Sequence, residues 1–316
     1  MKKSTIILLF TFFVSKSICF GQKLNWIPFQ WVGDSVSGRY YDKAAINIPI
    51  KIDGLPHNFN MQFDLGAETT VIYGNSISAY LQKYPNFKNK IDTNDVFFIQ
   101  SQKNPMFKNV GLSLGNVSFG KKDIGYFREY GEPIPSDSVN TNTIKHIGTI
   151  AADLFKNKYL IIDYPNKRIS VTEELNEELS KSKFLPCSMA NGRIIIPLKI
   201  NGKIENLMFD SGSSIFSLIS SEENAKNISS NIISDSLSIN SWGKLEKVYG
   251  KEINVDIKFN EIKLKPSNVY YFENKMFTDF FKQQNIWGIT GNFYFLNSIV
   301  IIDYKNSRFG VFKHKN

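Results

Sequence analysis

Alternation dominates this chain. In IPIKIDG, beginning at Ile48, and IPLKING, beginning at Ile196, every second residue is Ile or Leu, the rhythm of a strand with one buried face. Both rhythms stop at a pair suited to a tight hairpin turn, Asp53-Gly54 and Asn201-Gly202. Elsewhere, short β-branched runs are bounded by Gly, Asn, Asp and Pro. Helical spacing is confined to 76–84, 173–183 and 274–284. The second of these is acidic at its start and basic at its end, as a helix dipole favours. The pattern predicts a mainly β fold with few short helices.

The same pattern is written twice. After the two alternating segments come FDLGAETTVI from Phe63 and FDSGSSIFSL from Phe209, then IGTIAADLF from Ile147 and WGITGNFYF from Trp287. IIDYPNKRISV from Ile161 and IIDYKNSRFGV from Ile301 agree at seven of eleven positions. Order is kept, and the offset drifts only from 148 residues to 146 and then 140. One matched pair of apolar strands can arise by chance; four in register indicate an internal duplication. The predicted organisation is a leader over 1–21, a first lobe over 22–172, a connector over 173–192 and a second lobe over 193–316.

The leader reads as a secretory signal: Lys2-Lys3, then an apolar run from Thr5 to Val14, then a polar end with cleavage near Gly21-Gln22. That run is too short to span a bilayer, and no later run reaches spanning length. Ile18 is bulky where a lipid-attachment motif before Cys19 needs a small residue, so lipoprotein anchoring is disfavoured. The expectation is an exported protein, periplasmic or secreted. Removing the leader leaves Cys187 as the single cysteine, so no disulfide can form within the chain. It also takes Lys2, Lys3 and Lys16 from 38 basic residues; 35 less 29 acidic residues turns the formal +9 into +6. The lysines are scattered without a basic and aromatic motif, so they read as a solvated surface and not as a nucleic-acid interface.

Each copy sets one aspartate, Asp64 or Asp210, after an apolar strand and before a glycine that permits a sharp turn and close approach. Packed about a twofold axis, two such carboxylates would face one another and share a proton. One could then act as general base on a water while the other protonates a peptide carbonyl. That chemistry needs no metal and no cofactor. The ordinary alternative is a pair of hairpin-capping turn residues.

FDSGSS from Phe209 closely resembles the Asp-Thr/Ser-Gly-Ser/Thr loop of pepsin-like and retropepsin-like aspartic peptidases. Those families also have two apolar residues followed by glycine later in each lobe. ITGNFYF from Ile289 fits that pattern, as does IAADLF from Ile150 with Ala151 in the glycine position. The resemblance covers both lobes. It implies two β-barrel-like lobes related by a pseudo-twofold, a cleft between them, and peptide or protein as substrate; separately, the chain is expected to be a monomer. It implies Asp64 and Asp210 as the catalytic pair, supported by Gly66, Ser211, Gly212 and Ser213. Two departures fall in the first copy. Leu65 stands where the family has a hydroxyl that joins a network across the two loops, and Ala151 adds a methyl beneath the loop. Two further readings therefore stand beside hydrolysis: a weakened or inactive homologue binding a peptide or glycan in the cleft, and a purely structural surface protein.

SQKNPMF from Ser101 and NSWGKLE from Asn240 are candidate hairpins over such a cleft. Trp242 is the possible flap residue, although a Trp packed on its own lobe is the default expectation. Asp163 and Asp303, in the repeated IIDY, read as turn aspartates holding backbone N–H groups or Arg168 and Arg308. GNVSFGK from Gly115 fails as a phosphate loop because Lys122 replaces Ser or Thr and no helix follows. His57, His146 and His314 are isolated, which argues against zinc, and Cys187 reads as an inert thiol. The serines of Gly212–Ser214 lack both G-x-S-x-G spacing and a matched His.

Overall fold

The computed structural model describes residues 24–99, 101–189 and 192–313; the signal segment read over 1–21 lies outside them. Strand takes up 52% of the structure and helix 17%, which settles the mainly β class. The strands form three sheets of six, nine and eight strands. Among the described residues no helix is long and apolar enough to cross a membrane.

The alternating segments fold as their pattern dictates. Ile46, Ile48, Ile50 and Ile52 are buried on the strand Arg39–Ile52, and Ile194, Ile196, Leu198 and Ile200 on the strand Ile194–Ile200. Each turns at the expected dipeptide into an antiparallel partner, Leu55–Phe63 or Lys203–Phe209. Those partners lead into the two Asp-containing loops. The chain then returns alongside as Lys145–Ile150 or Gly288–Thr290, parallel to the strand that ended in Phe63 or Phe209. Short strands Val71–Tyr73 and Leu218–Ser220 pair antiparallel with these returning strands and parallel with Val117–Phe127 and Asn268–Phe272. The pairings recur in the same order in the eight-stranded and the nine-stranded sheet.

The six-stranded sheet draws on both halves of the chain. At its centre Tyr159–Asp163 pairs antiparallel with Ser298–Asp303, and Ile161 lies opposite Ile301, its counterpart in the repeated IIDY. Asp163 accepts from Asn166 N (3.2 Å) and Arg168 Nε (2.8 Å); Asp303 accepts from Asn306 N (3.0 Å) and Arg308 Nε (2.9 Å). Both are turn aspartates, as read from the sequence.

Helices form at Gly74–Lys83 and Met276–Gln284, near the expected spans. The connector differs: only Glu177–Ser180 is helical, with Asn176 capping Leu179 N, before the chain enters a strand at Phe184–Pro186. That strand pairs with Arg308–Lys313 at the edge of the six-stranded sheet. The helix Glu222–Ile228 was not anticipated, although Ser221 followed by two glutamates is a start signal. The GNVSFGK run turns between the strands Gln102–Leu114 and Val117–Phe127.

Candidate active site

Phe63 and Phe209 are fully buried, each against an aromatic ring of its own half, Phe155 at 5.9 Å and Phe295 at 5.7 Å. These anchors fix where the two loops leave their strands. Asp64 N then donates to Ile150 O (3.0 Å) and Asp210 N to Thr290 O (2.9 Å), so each aspartate emerges over its returning strand.

The loops cross reciprocally. A methyl built on Gly66 would stand 2.4 Å from Cγ of Asp210, and one on Gly212 would stand 2.7 Å from Cγ of Asp64. Each carboxyl group therefore packs against the glycine of the opposite loop, and only glycine leaves the room. The two carboxyl groups are hydrogen-bonded to one another. Gly66 N and Ala67 N donate to Asp64 Oδ1 at 2.9 and 3.2 Å, and Gly212 N donates to Asp210 Oδ1 at 2.8 Å.

Burial is the main force raising the Asp64 carboxyl well above its usual value, and the neighbouring Asp210 charge adds to it. Asp210 is also raised by burial, but the hydrogen bond from Asp64 and the N–H groups of Gly212, Ser213 and Gly66 pull it back. The pair thus holds one proton to higher pH than a free carboxylate would, because burial disfavours two charges side by side.

The supporting residues are unequal. Ser211 Oγ accepts from the Leu65 N–H and donates to the Phe63 carbonyl, each at 2.9 Å, bridging from the second loop to the first. Leu65, with 0% of its surface exposed, packs into the hydrophobic core and returns no such bridge. Beneath the second loop, Asn292 Nδ2 donates to Ser211 O (2.8 Å) and Ser214 Oγ (2.7 Å), while Tyr164 OH donates to Asn292 Oδ1 (2.5 Å). Beneath the first loop, Asp153 accepts from Thr70 N (3.0 Å) and Thr70 Oγ1 (2.6 Å), and the same hydroxyl accepts from Ala151 N (3.0 Å). Ser213 contributes through its backbone, its N–H meeting Asp210 O at 3.2 Å.

A cleft of about 480 Å³ opens over the pair. Its lining includes Phe97, Phe98 and Ile99 from the strand Ile91–Ile99, and Met276, Phe277 and Phe280 from the helix Met276–Gln284. The first candidate flap is thus a real hairpin, but the strand before SQKNPMF supplies the lining residues. Trp242 sits at the tip of the second hairpin, between Asp235–Ser241 and Lys244–Glu252. Its φ of 51° and that of Gly243, 88°, are those of a two-residue turn that follows strand twist. Trp242 packs against a cluster of the first half. Its ring lies 6.0 Å from Tyr130 and 6.2 Å from Phe127, both from the first half, because the hairpin extends across the cleft. At the hairpin's base, Asp235 meets Arg39 (3.1 Å) and Ser238 N donates to Ser37 Oγ (2.8 Å), again across the halves.

Arg193 and Glu68 also line the cleft and pair with each other at 2.7 Å. Sequence reasoning missed both, since no spacing rule joins positions so far apart. The spacing of Phe277 and Phe280 on one helical face was a usable signal for that wall. Of the residues set aside, His57 Nε2 meets Tyr84 OH at 2.8 Å, away from the cleft. Cys187 is a free thiol that burial, with Asp303 nearby, pushes up to about 12, consistent with the inert reading; His314 lies outside the described residues.

No protein-family model matches the chain, and no curated protein is significantly similar to it. The functional reading therefore stands on the residues and their geometry.

Proposed function

We propose that this chain is an exported, two-lobed aspartic peptidase-like hydrolase in which Asp64 and Asp210 activate water against a peptide bond. The observation that carries this reading is the reciprocal packing of each carboxyl group against the other loop's glycine. The twofold, β-barrel-like arrangement of lobes draws support from the recurrent strand pairings and from Ile161 facing Ile301. In the proposed reaction, ionised Asp210 takes a proton from a water as it attacks the carbonyl carbon, and protonated Asp64 donates to the carbonyl oxygen. The C–N bond of the tetrahedral intermediate then breaks as the proton on Asp210 passes to the amine nitrogen and one hydroxyl returns its proton to Asp64, restoring the pair. No metal or cofactor enters these steps. The substrate is a peptide or protein laid along the apolar cleft, and the protein acts as a monomer in the periplasm or outside the cell.

Leu65 favours a second reading, a cleft that binds a peptide or glycan without cutting it, because it removes one of two possible hydroxyl bridges between the loops. A mixed peptide library incubated across acid and neutral pH separates the two. Hydrolysis that is blocked by a statin-type transition-state mimic supports the peptidase. Folded protein that cleaves nothing at any pH overturns it.

A further inference from the structure

Arg193 immediately precedes the strand Ile194–Ile200 and lines the same cleft as the two aspartates. Its side chain is 18% exposed, and its guanidinium carbon lies 5.1 Å from the ring centre of Phe280. Nη1 is 2.7 Å from Glu68 Oε1 and reaches Gln284 Oε1 at 3.4 Å. Nε is buried and has no hydrogen-bond partner among the described residues. A guanidinium presents five N–H donors in a planar fork that matches a carboxylate through two parallel bonds. The Glu68 side chain, 48% exposed and held at one nitrogen, does not complete that fork. An exposed carboxylate in a single-point pair is readily displaced.

Resting on the cleft reading above, we infer that Arg193 is a specificity-determining residue that receives a carboxylate of the bound peptide, either an Asp or Glu side chain or the free C-terminus. The incoming carboxylate displaces Glu68 into solvent and takes the fork formed by Nη1 and Nη2. The aromatic stack on Phe280 holds the guanidinium planar and oriented before the ligand arrives. Opposite charge keeps such a carboxylate ionised toward lower pH. The chain's positive net charge steers acidic peptides toward it.

The test uses peptides matched in pairs, Glu against Gln at each position in turn, and free against amidated at the C-terminus. Each pair is measured as kcat/KM with the wild type and as binding by fluorescence anisotropy with Asp210→Asn. One position at which the acid is favoured by about tenfold or more is expected, as for a charge-assisted bidentate contact. In Arg193→Met that ratio falls to near one, and Arg193→Lys restores part of it. Glu68→Gln, which removes the competing carboxylate, raises the ratio and serves as the readout if Arg193→Met does not fold. An acid preference confined to the free C-terminus identifies the terminal carboxylate as the ligand. A ratio near one at every position, or a preference for Lys that Glu68→Gln abolishes, overturns the inference. Selective binding without cleavage removes the hydrolytic reading and keeps the role of Arg193. Cleavage without acid preference removes the role of Arg193 alone, and neither binding nor cleavage removes both.

Discussion

The loop after Phe63 and the loop after Phe209 present their aspartates alike but are supported by different chemistry. Under the second, a neutral network runs from Tyr164 through Asn292 to Ser214 and the Ser211 carbonyl, and the Ser211 hydroxyl continues it into the first loop. Under the first, a carboxylate does the bracing: Asp153 grips Thr70, and the position matching Asn292 is Ala152. The tyrosine matching Tyr164 is Tyr304, whose buried hydroxyl has no hydrogen-bond partner among the described residues. The comparison teaches that what must be equal at this centre is the placement of two carboxyl groups and two glycines. The scaffolding behind them is free to differ, provided each loop is held by something.

If that is right, the largest effect should be indifferent to the inequality. Asp64→Asn and Asp210→Asn should each reduce peptide hydrolysis by roughly 10²–10⁴-fold or more, as for loss of a general acid or base. A variant retaining most of the wild-type rate in a steady-state assay would show that the two carboxyl groups do not act as one unit.

Smaller effects should follow the asymmetry. A methyl at Gly291 would stand 1.8 Å from the Ser213 carbonyl oxygen, so Gly291→Ala should destabilise by about 1–3 kcal/mol through overpacking. The first loop already accommodates Ala151, and Ala151→Gly should cost only about 0.5–1 kcal/mol through chain entropy. Chemical denaturation of both variants checks the pair, and equal losses would remove the distinction. Tyr164→Phe strands Asn292 Oδ1 and should cost about 1–3 kcal/mol, whereas Tyr304→Phe removes an already unpaired hydroxyl. The latter should therefore stay within about 0.5 kcal/mol of wild type.

The smallest effect is a slope with pH. Asp64 keeps its proton in the folded state above the pH at which the unfolded chain releases it. The folded state thus binds more protons in that window, and this contribution is fully present below about pH 4. It is lost as pH rises through the raised value. Asp64→Asn removes it, so its melting temperature should fall less than that of wild type as pH rises above about 4. A steeper fall in the variant would contradict the assignment of the proton to Asp64.

Much of this was legible because the signals were local or repeated. Alternation around Ile48 and Ile196 dictated the hairpins, and the two Asp-x-Gly loops were visible because each motif calibrates the other. The consequence of Leu65 was legible too, since a leucine after the aspartate can offer no hydroxyl to Ser211's loop. What lay hidden depends on contacts between distant positions. Arg193 meets Glu68 only because the two halves pack together. Trp242 lies over Tyr130 because a left-handed turn extends the hairpin across the cleft, where local reasoning favoured its own half. The connector kept only Glu177–Ser180 as helix before a strand at Phe184–Pro186 that pairs at a sheet edge with the distant Arg308–Lys313.

The register in which Ile161 faces Ile301 is self-complementary, since each strand offers the other the residues it receives. A strand able to meet its counterpart in this way has the geometry to meet an identical copy of itself, as the subunits of a symmetric dimer do. In such a dimer every substitution is made twice, and a leucine at one loop would be a leucine at both. Joining the halves in one polypeptide lifts that restriction. Only a single chain can keep a hydroxyl at Ser211 while burying Leu65 opposite it, and so assign its two loops separate tasks.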